Sequence, residues 1–252
     1  MNEEKMHHIN MKKGDVGRYV LLPGDPGRSE IIAQAFDTYE FVTSNREYTT
    51  FTGTLSGEKV SVMSTGIGCP STSIGIEELR LLGADTFIRV GTSGAMRTDM
   101  RIGVLAINTG AIRDEGTTIQ YMPIEFPAIP DLQVTNALVQ AAEILDQTYF
   151  TGITQSKDSF YGQHQPERMP VDKHLLERWK AWKMGGTICS EMEAAALFIL
   201  GSIYKLRTGG VMLITGNQES GEQVEDRNWN MKGLVNTAVE ALRILIESDK
   251  KG

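Results

Sequence analysis

The chain has 252 residues, 40% hydrophobic and 23% charged, a balance that fits one packed soluble domain and excludes a disordered or fibrous protein. Its formal net charge of −7 argues against a general nucleic-acid binder. It leaves room for a local basic pocket, because salt screens the global field beyond about 8 Å.

Two cysteines, Cys69 and Cys189, are too few for a disulfide framework. The polar start lacks the apolar centre of a signal peptide, and no apolar run approaches the ~18 residues of a spanning helix. A cytoplasmic protein is expected.

In chain order, residues 1–13 read as an N-terminal arm. Arg18–Leu22 reads as a buried strand that stops at Pro23-Gly24, and Ser29–Phe36 has room for a helix. Phe51–Leu55 and Lys59–Ser64 read as strands around the Ser56-Gly57 turn. Ser71–Leu82 has helical spacing, with Ser71 as a suitable N-cap and Gly83 as the stop. Thr86–Val90 and Val104–Thr109 read as strands. Asn108–Asp131, with Pro123, Pro127 and Pro130, reads as a long functional or interfacial loop.

Val134–Leu145 is amphipathic and Leu175–Trp182 looks helical, its two tryptophans placed for packing. Glu193–Tyr204 is apolar and too long for a strand. Gly210–Ile214 reads as a strand and Val235–Ile246 as a last amphipathic helix, with a charged tail from Glu247 to Gly252 that frays. Strands alternating with helices predict an α/β fold: one domain over 1–252, three layers (αβα), a mixed central sheet.

In such folds ligands bind beyond the carboxyl ends of strands. Gly24-Asp25-Pro26-Gly27-Arg28 ends the first strand; its glycines free backbone N–H groups and its arginine is a planar double donor. Alone, it reads as a turn with a solvated arginine. Arg89 ends a strand otherwise built for burial, so it needs a partner or an anion. Thr92 follows between Gly91 and Gly94. Arg28, Arg89 and Thr92 can therefore converge on one phosphate from adjacent strand ends.

Phe160–Arg168 combines an aromatic platform with amides and a guanidinium, suited to a ring that carries carbonyls and N–H groups. Its bland alternative is a polar surface loop. Glu191 and Glu193 open the apolar helix; two residues apart, they are helix-start acids rather than a carboxylate dyad, yet also good acceptors for vicinal hydroxyls. The four histidines, His7, His8, His164 and His174, show no metal-ligand spacing, and no nucleophile elbow, P-loop or dinucleotide fingerprint occurs.

The strings PGDPGR, NREYTTFTG, STGIGCPSTSI, RVGTSGA, DSFYGQ…ER and SEMEAAAL, in that order, resemble the nucleoside phosphorylase-I family, and its uridine-cleaving members most, from Gly14 to about Arg243. Each string is weak alone; their order and spacing are specific.

The resemblance implies a phosphate site at Gly24, Arg28, Arg89 and Thr92, with Arg46 reaching a neighbouring subunit's phosphate. It implies ribose contacts from Glu191, Met192 and Glu193, and from His8 across a subunit boundary. Phe160, Gln163 and Arg168 correspond to the base-reading group, with Arg168 and a glutamine expected to stabilise the departing uracil anion as an oxyanion hole does and with Glu193, on the sugar hydroxyls, as the third catalytic residue. Glu47, Ile67 and Ser71 correspond to a potassium site at a dimer interface, within a hexamer built as a trimer of dimers. No organic cofactor is implied: inorganic phosphate is the co-substrate, and uracil and ribose 1-phosphate are the products of uridine, in pyrimidine salvage. Membrane and nucleic acid are not implied partners.

Three departures stand out. Phe160 to Arg168 is two residues longer than the familiar pattern, so Gln165 can take the place of Gln163. Leu213–Asn217 lacks an arginine found in some relatives and the aspartate with which purine-cleaving members protonate N7, which favours a pyrimidine. Ser190 stands where some relatives have tyrosine, which predicts a looser sugar pocket. The alternatives are a purine nucleoside phosphorylase on the same fold, a hydrolytic nucleosidase, and a non-catalytic nucleoside-binding protein.

Overall fold

The structure, a computed structural model, describes residues 5–224 and 231–251. The strands are β1 Tyr19–Leu22, β2 Thr38–Asn45, β3 Tyr48–Leu55, β4 Glu58–Met63, β5 Thr86–Ala95, β6 Leu105–Asp114, β7 Tyr149–Lys157, β8 Cys189–Glu191, β9 Arg207–Asn217 and β10 Glu222–Gln223. The helices are α1 Gly27–Ala33, α2 Cys69–Leu81, α3 Leu132–Ile144, α4 Phe160–His164, α5 Asp172–Met184, α6 Ala194–Tyr204 and α7 Met231–Lys251.

β1 shows why three layers form. Successive side chains on a strand point to opposite faces. Tyr19 and Leu21 enter one core with Val134 and Leu138 of α3 and Leu242 of α7. Val20 and Leu22 enter the other, with Ile76 and Leu79 of α2 and Phe198 of α6. Each fully buried residue of this kind contributes roughly 1.5–3 kcal/mol of transfer free energy. α6 is buried from Ala194 through Gly201, as expected of a helix apolar on every side.

The ten strands form one mixed sheet in the order β10-β9-β6-β7-β8-β5-β1-β4-β3-β2, and β9 also pairs with β5. β5, β8, β7, β6 and β9 thus close on one another. The short β8 runs antiparallel to β5 (Gly94 opposite Ser190) and parallel to β7 (Gln155 opposite Ser190, Ser156 opposite Glu191). That register sets Ser190 and Glu191 between the carboxyl ends of β5 and β7.

Several boundaries differ from the sequence reading. β5 and β6 run past Val90 and Thr109, carried by register shifts at Ser93/Gly94 and Asn108/Gly110 that pattern reading cannot see. The expected loop therefore begins after Asp114. Arg113 organises this loop, donating to Thr118 Oγ1 and to the carbonyls of Met122, Pro123 and Phe126. α2 begins at Cys69 with Gly68 as its N-cap, and Ser71 lies inside the first turn. α7 runs on to Lys251, so the charged tail is helical rather than frayed up to there; Gly252 lies outside the described residues.

Candidate active site

Arg89 is the centre of the site. It is 5% exposed, and its Nε donates to Glu191 Oε2 at 3.0 Å while Nη2 donates to Glu193 Oε2. Glycine at 91 leaves room for this fold-back: a Cβ there would lie 2.7 Å from Met212 Sδ and 3.0 Å from Arg89 Nη2. The third nitrogen, Nη1, is buried with no hydrogen-bond partner among the described residues. A Cβ on Gly24 would lie 3.8 Å from that nitrogen and 3.1 Å from the Gly66 carbonyl, so glycine keeps the approach to it open. A buried donor left unsatisfied costs about 1–3 kcal/mol. An anion over Gly24 would satisfy it.

Arg28, also buried, brings its Nη1 to 3.5 Å from Thr92 Oγ1, which lies within β5 rather than beyond its end. Gly24, Arg28, Arg89 and Thr92 are therefore brought together as the strand ends suggested. Within the turn after β1, the N–H groups of Gly27, Arg28 and Ser29 are taken up locally. Asp25 Oδ1 accepts from Gly27 N, and the carbonyls of Asp25 and Pro26 accept from Arg28 N and Ser29 N.

Glu191 is saturated: it accepts from Arg89 Nε, from Ser156 Oγ at 2.5 Å, and from the N–H groups of Glu193 and Ala194 that open α6. It acts as the acid cap of that helix. Glu193 accepts from Arg89 and, at 2.7 Å, from Gly68 N. Burial pushes the Glu193 carboxyl up, Arg89 opposes that shift, and Glu191 adds to it. Burial disfavours the Arg89 charge, but Glu193 and Glu191 more than offset it and hold the guanidinium above its ordinary value. Met192 is half-buried, and its carbonyl accepts from Cys69 Sγ at 3.3 Å.

Gln163 reaches inward: its Nε2 donates to Ser190 Oγ at 2.8 Å and to Gln218 Oε1 at 3.0 Å. Gln165 instead accepts from Arg168 Nη1. Arg168 is exposed in a 3-10 turn (Pro166–Arg168), with its guanidinium 5.8 Å from the Tyr161 ring. Phe160 is half exposed and stacks on His164 at 4.2 Å between ring centres. Gln163 lines a cavity of about 420 Å³ whose other walls include Gln155, Lys157, Trp179, Trp182 and Gln218. Phe160, Gln165 and Arg168 are not part of that lining.

Gln155, Lys157 and Gln218 carry no motif signal in the sequence, yet all three line the cavity. Gln155 Oε1, Gln163 Nε2 and Lys157 Nζ all meet the hydroxyl of Ser190. The space expected to be loosened by serine is filled by a polar network. Trp179 and Trp182 form a cavity wall as well as packing, and Trp179 Nε1 donates to Glu219 at 3.1 Å.

Arg46 and Glu47 form the tight turn between β2 and β3, with Arg46 exposed at φ 55°. Ser71 Oγ lies 2.5 Å from Glu47 Oε1 and 2.5 Å from the Thr65 carbonyl. The Ser71 hydrogen bond holds the Glu47 carboxyl below its usual range. Ile67 is 76% exposed, so its backbone is what it offers. An ionised carboxylate, a hydroxyl and carbonyls are hard oxygen donors that suit a cation such as potassium. His8 Nδ1 pairs with Glu78 Oε1 of α2 at 2.6 Å, which fixes the arm against the body of the chain.

The buried arginine with its two carboxylates and the amide-lined cavity are separate features: none of Gly24, Arg28, Arg89, Thr92, Glu191 and Glu193 lines that cavity. Residues 18–247 match the Phosphorylase superfamily, and the chain belongs to it. It is 54% identical to a uridine phosphorylase of Treponema pallidum over 96% of this chain and 95% of that one. It is 44% identical to a uridine phosphorylase of Thermococcus kodakarensis, over 99% and 90% of the two chains. It is 38% identical to a guanosine phosphorylase of Halorubrum lacusprofundi, over 87% and 86%.

Proposed function

We propose that this chain cleaves uridine with inorganic phosphate, giving uracil and ribose 1-phosphate. The observation that carries the reading is the buried, unsatisfied Nη1 of Arg89 opposite Gly24. Thr92 and Arg28 stand beside it.

Phosphate oxygen attacks C1′ of the ribose while the C1′–N1 bond breaks. The bonding electrons leave with uracil, which takes a proton from solvent later. Fixing phosphate against the anomeric carbon is worth roughly 7–11 kcal/mol in favourable cases. Gly24, Arg28, Arg89 and Thr92 hold the anion, and Glu193, tied to Arg89, receives the sugar hydroxyls. Glu191 and Met192 shape that wall. Phe160 and Gln163 face the base; Gln165 and Arg168 close the loop over it. Each well-placed donor to the departing ring contributes on the order of 3–4 kcal/mol.

The same reading includes a hexameric assembly of dimers. His8 and Arg46 would complete a neighbour's ribose and phosphate sites, and Glu47, Ile67 and Ser71 would hold potassium at the dimer boundary. Exposure of Arg46 at a hairpin tip supports this. A cytoplasmic setting is part of the reading, in keeping with two buried free thiols. No helix among the described residues is long and apolar enough to cross a membrane.

A panel of uridine, inosine, guanosine and adenosine, each with and without phosphate, tests the reading. Uridine consumed only with phosphate, and faster than the purines, is the expected result. Faster cleavage of guanosine or inosine would overturn the base assignment.

A further inference from the structure

Lys157 ends β7 and is only 4% exposed. Among the described residues it has no carboxylate within ion-pair distance; its one hydrogen bond, at 2.8 Å, goes to the neutral Ser190 hydroxyl. An ammonium has three donors, and burying one without a counter-ion is costly. Its Nζ also lies 6.0 Å from the centre of the Phe160 ring. Gln163 donates to the same Ser190 oxygen, and both side chains line the same cavity. The ammonium therefore stands between the aromatic ring and the amide that the functional reading gives to the base, with donors to spare.

Burial pulls the Lys157 pKa down, while Glu191, Glu193, Cys189 and Asp114 oppose that shift. Asp114 is itself occupied by Gln155 at 2.7 Å and by Arg178.

We propose that Lys157 is a further catalytic residue: its ammonium binds a carbonyl oxygen of the pyrimidine and stabilises the negative charge the ring gains as C1′–N1 breaks. The proposal rests on the functional reading above. It adds a fixed positive charge, from a strand rather than a loop, to the groups that face the base. It also gives the small Ser190 a purpose: its hydroxyl aims the ammonium while leaving room for the ring.

The test is leaving-group dependence. K157M, K157Q and K157R are compared with the unaltered enzyme on uridine and on 5-fluorouridine, whose ring leaves more easily as an anion. Loss of a charge-stabilising donor of this kind lowers kcat by about 100-fold on uridine. The loss is expected to shrink to about 10-fold or less on 5-fluorouridine, with phosphate KM held. K157R keeps the charge and is expected to keep the ratio between the two nucleosides even if its rate falls. Should K157M not fold, K157Q is read in the same way. Equal losses on both nucleosides would make Lys157 a structural support and overturn the proposal, as would unchanged uridine turnover. Failure of the unaltered enzyme to cleave uridine with phosphate would instead overturn the functional reading itself.

Discussion

Arg89 and Glu193 lie 104 residues apart in sequence and share a direct hydrogen bond in the buried centre of the site. One comes from the middle of β5 and the other from the N-cap of α6. On the proposed reading, the pair couples the group assigned to the anion to the group assigned to the sugar, so altering either is expected to disturb both substrates.

R89K keeps a cation beside two buried carboxylates but loses the planar fork. Hydrogen bonds to charged groups are worth about 1.5–3 kcal/mol, so phosphate KM is expected to rise about 10–100-fold. R89A strands both carboxylates and is expected to destabilise the fold by about 3–5 kcal/mol. Steady-state kinetics in phosphate and thermal unfolding separate the two effects. An unchanged phosphate KM in R89K would contradict the assignment.

E193Q preserves an acceptor for Gly68 N–H but removes the charge paired with Arg89. A fall of about 100-fold in kcat/KM for uridine is expected, the size of a lost charge-assisted contact. The deficit should be smaller on 2′-deoxyuridine, which lacks one of the hydroxyls. An equal deficit on both sugars would remove Glu193 from the ribose.

Gln163 and Gln165 make a direct contrast. Q163A removes the amide held at Ser190 inside the cavity and is expected to lower kcat/KM for uridine by about 10–100-fold. Q165A acts only through Arg168 and should cost several-fold less. The reverse order would mean that the loop turns over when the base binds.

Burial and the nearby Lys157 charge hold His164 at a pKa of about 4, below its ordinary 6.5. A depressed value means that the folded state favours neutral imidazole. Its contribution to stability is present above pH 6.5 and is lost as pH falls towards about 4. H164N should flatten the fall in unfolding stability over that window, as read by denaturant titration at several pH values. A parallel curve for H164N would place the acid sensitivity elsewhere.

The fold is legible in the sequence where the pattern is local. β1, β3, β4, α2, α3, α6 and α7 announce themselves by apolar runs or helical spacing, and glycines mark several of their ends. β2 escapes a pattern reading because it is exposed along half its length and carries no alternation. β8 has three residues and exists only because β5 and β7 flank it.

The anion side of the site is legible because a buried arginine needs a reason. The base side is less so. Gln155, Ser156 and Lys157 carry no motif signal, and it is the place of β7 between β6 and β8 that buries them. In the turn after β1, Asp25 takes up one of the N–H groups, that of Gly27.

The most direct measurement is product stoichiometry for uridine cleavage, with uracil, ribose 1-phosphate and free ribose quantified with and without phosphate. One ribose 1-phosphate per uracil, no free ribose, and no uracil when phosphate is omitted are the predicted results. Free ribose released at a phosphate-independent rate would contradict phosphorolysis.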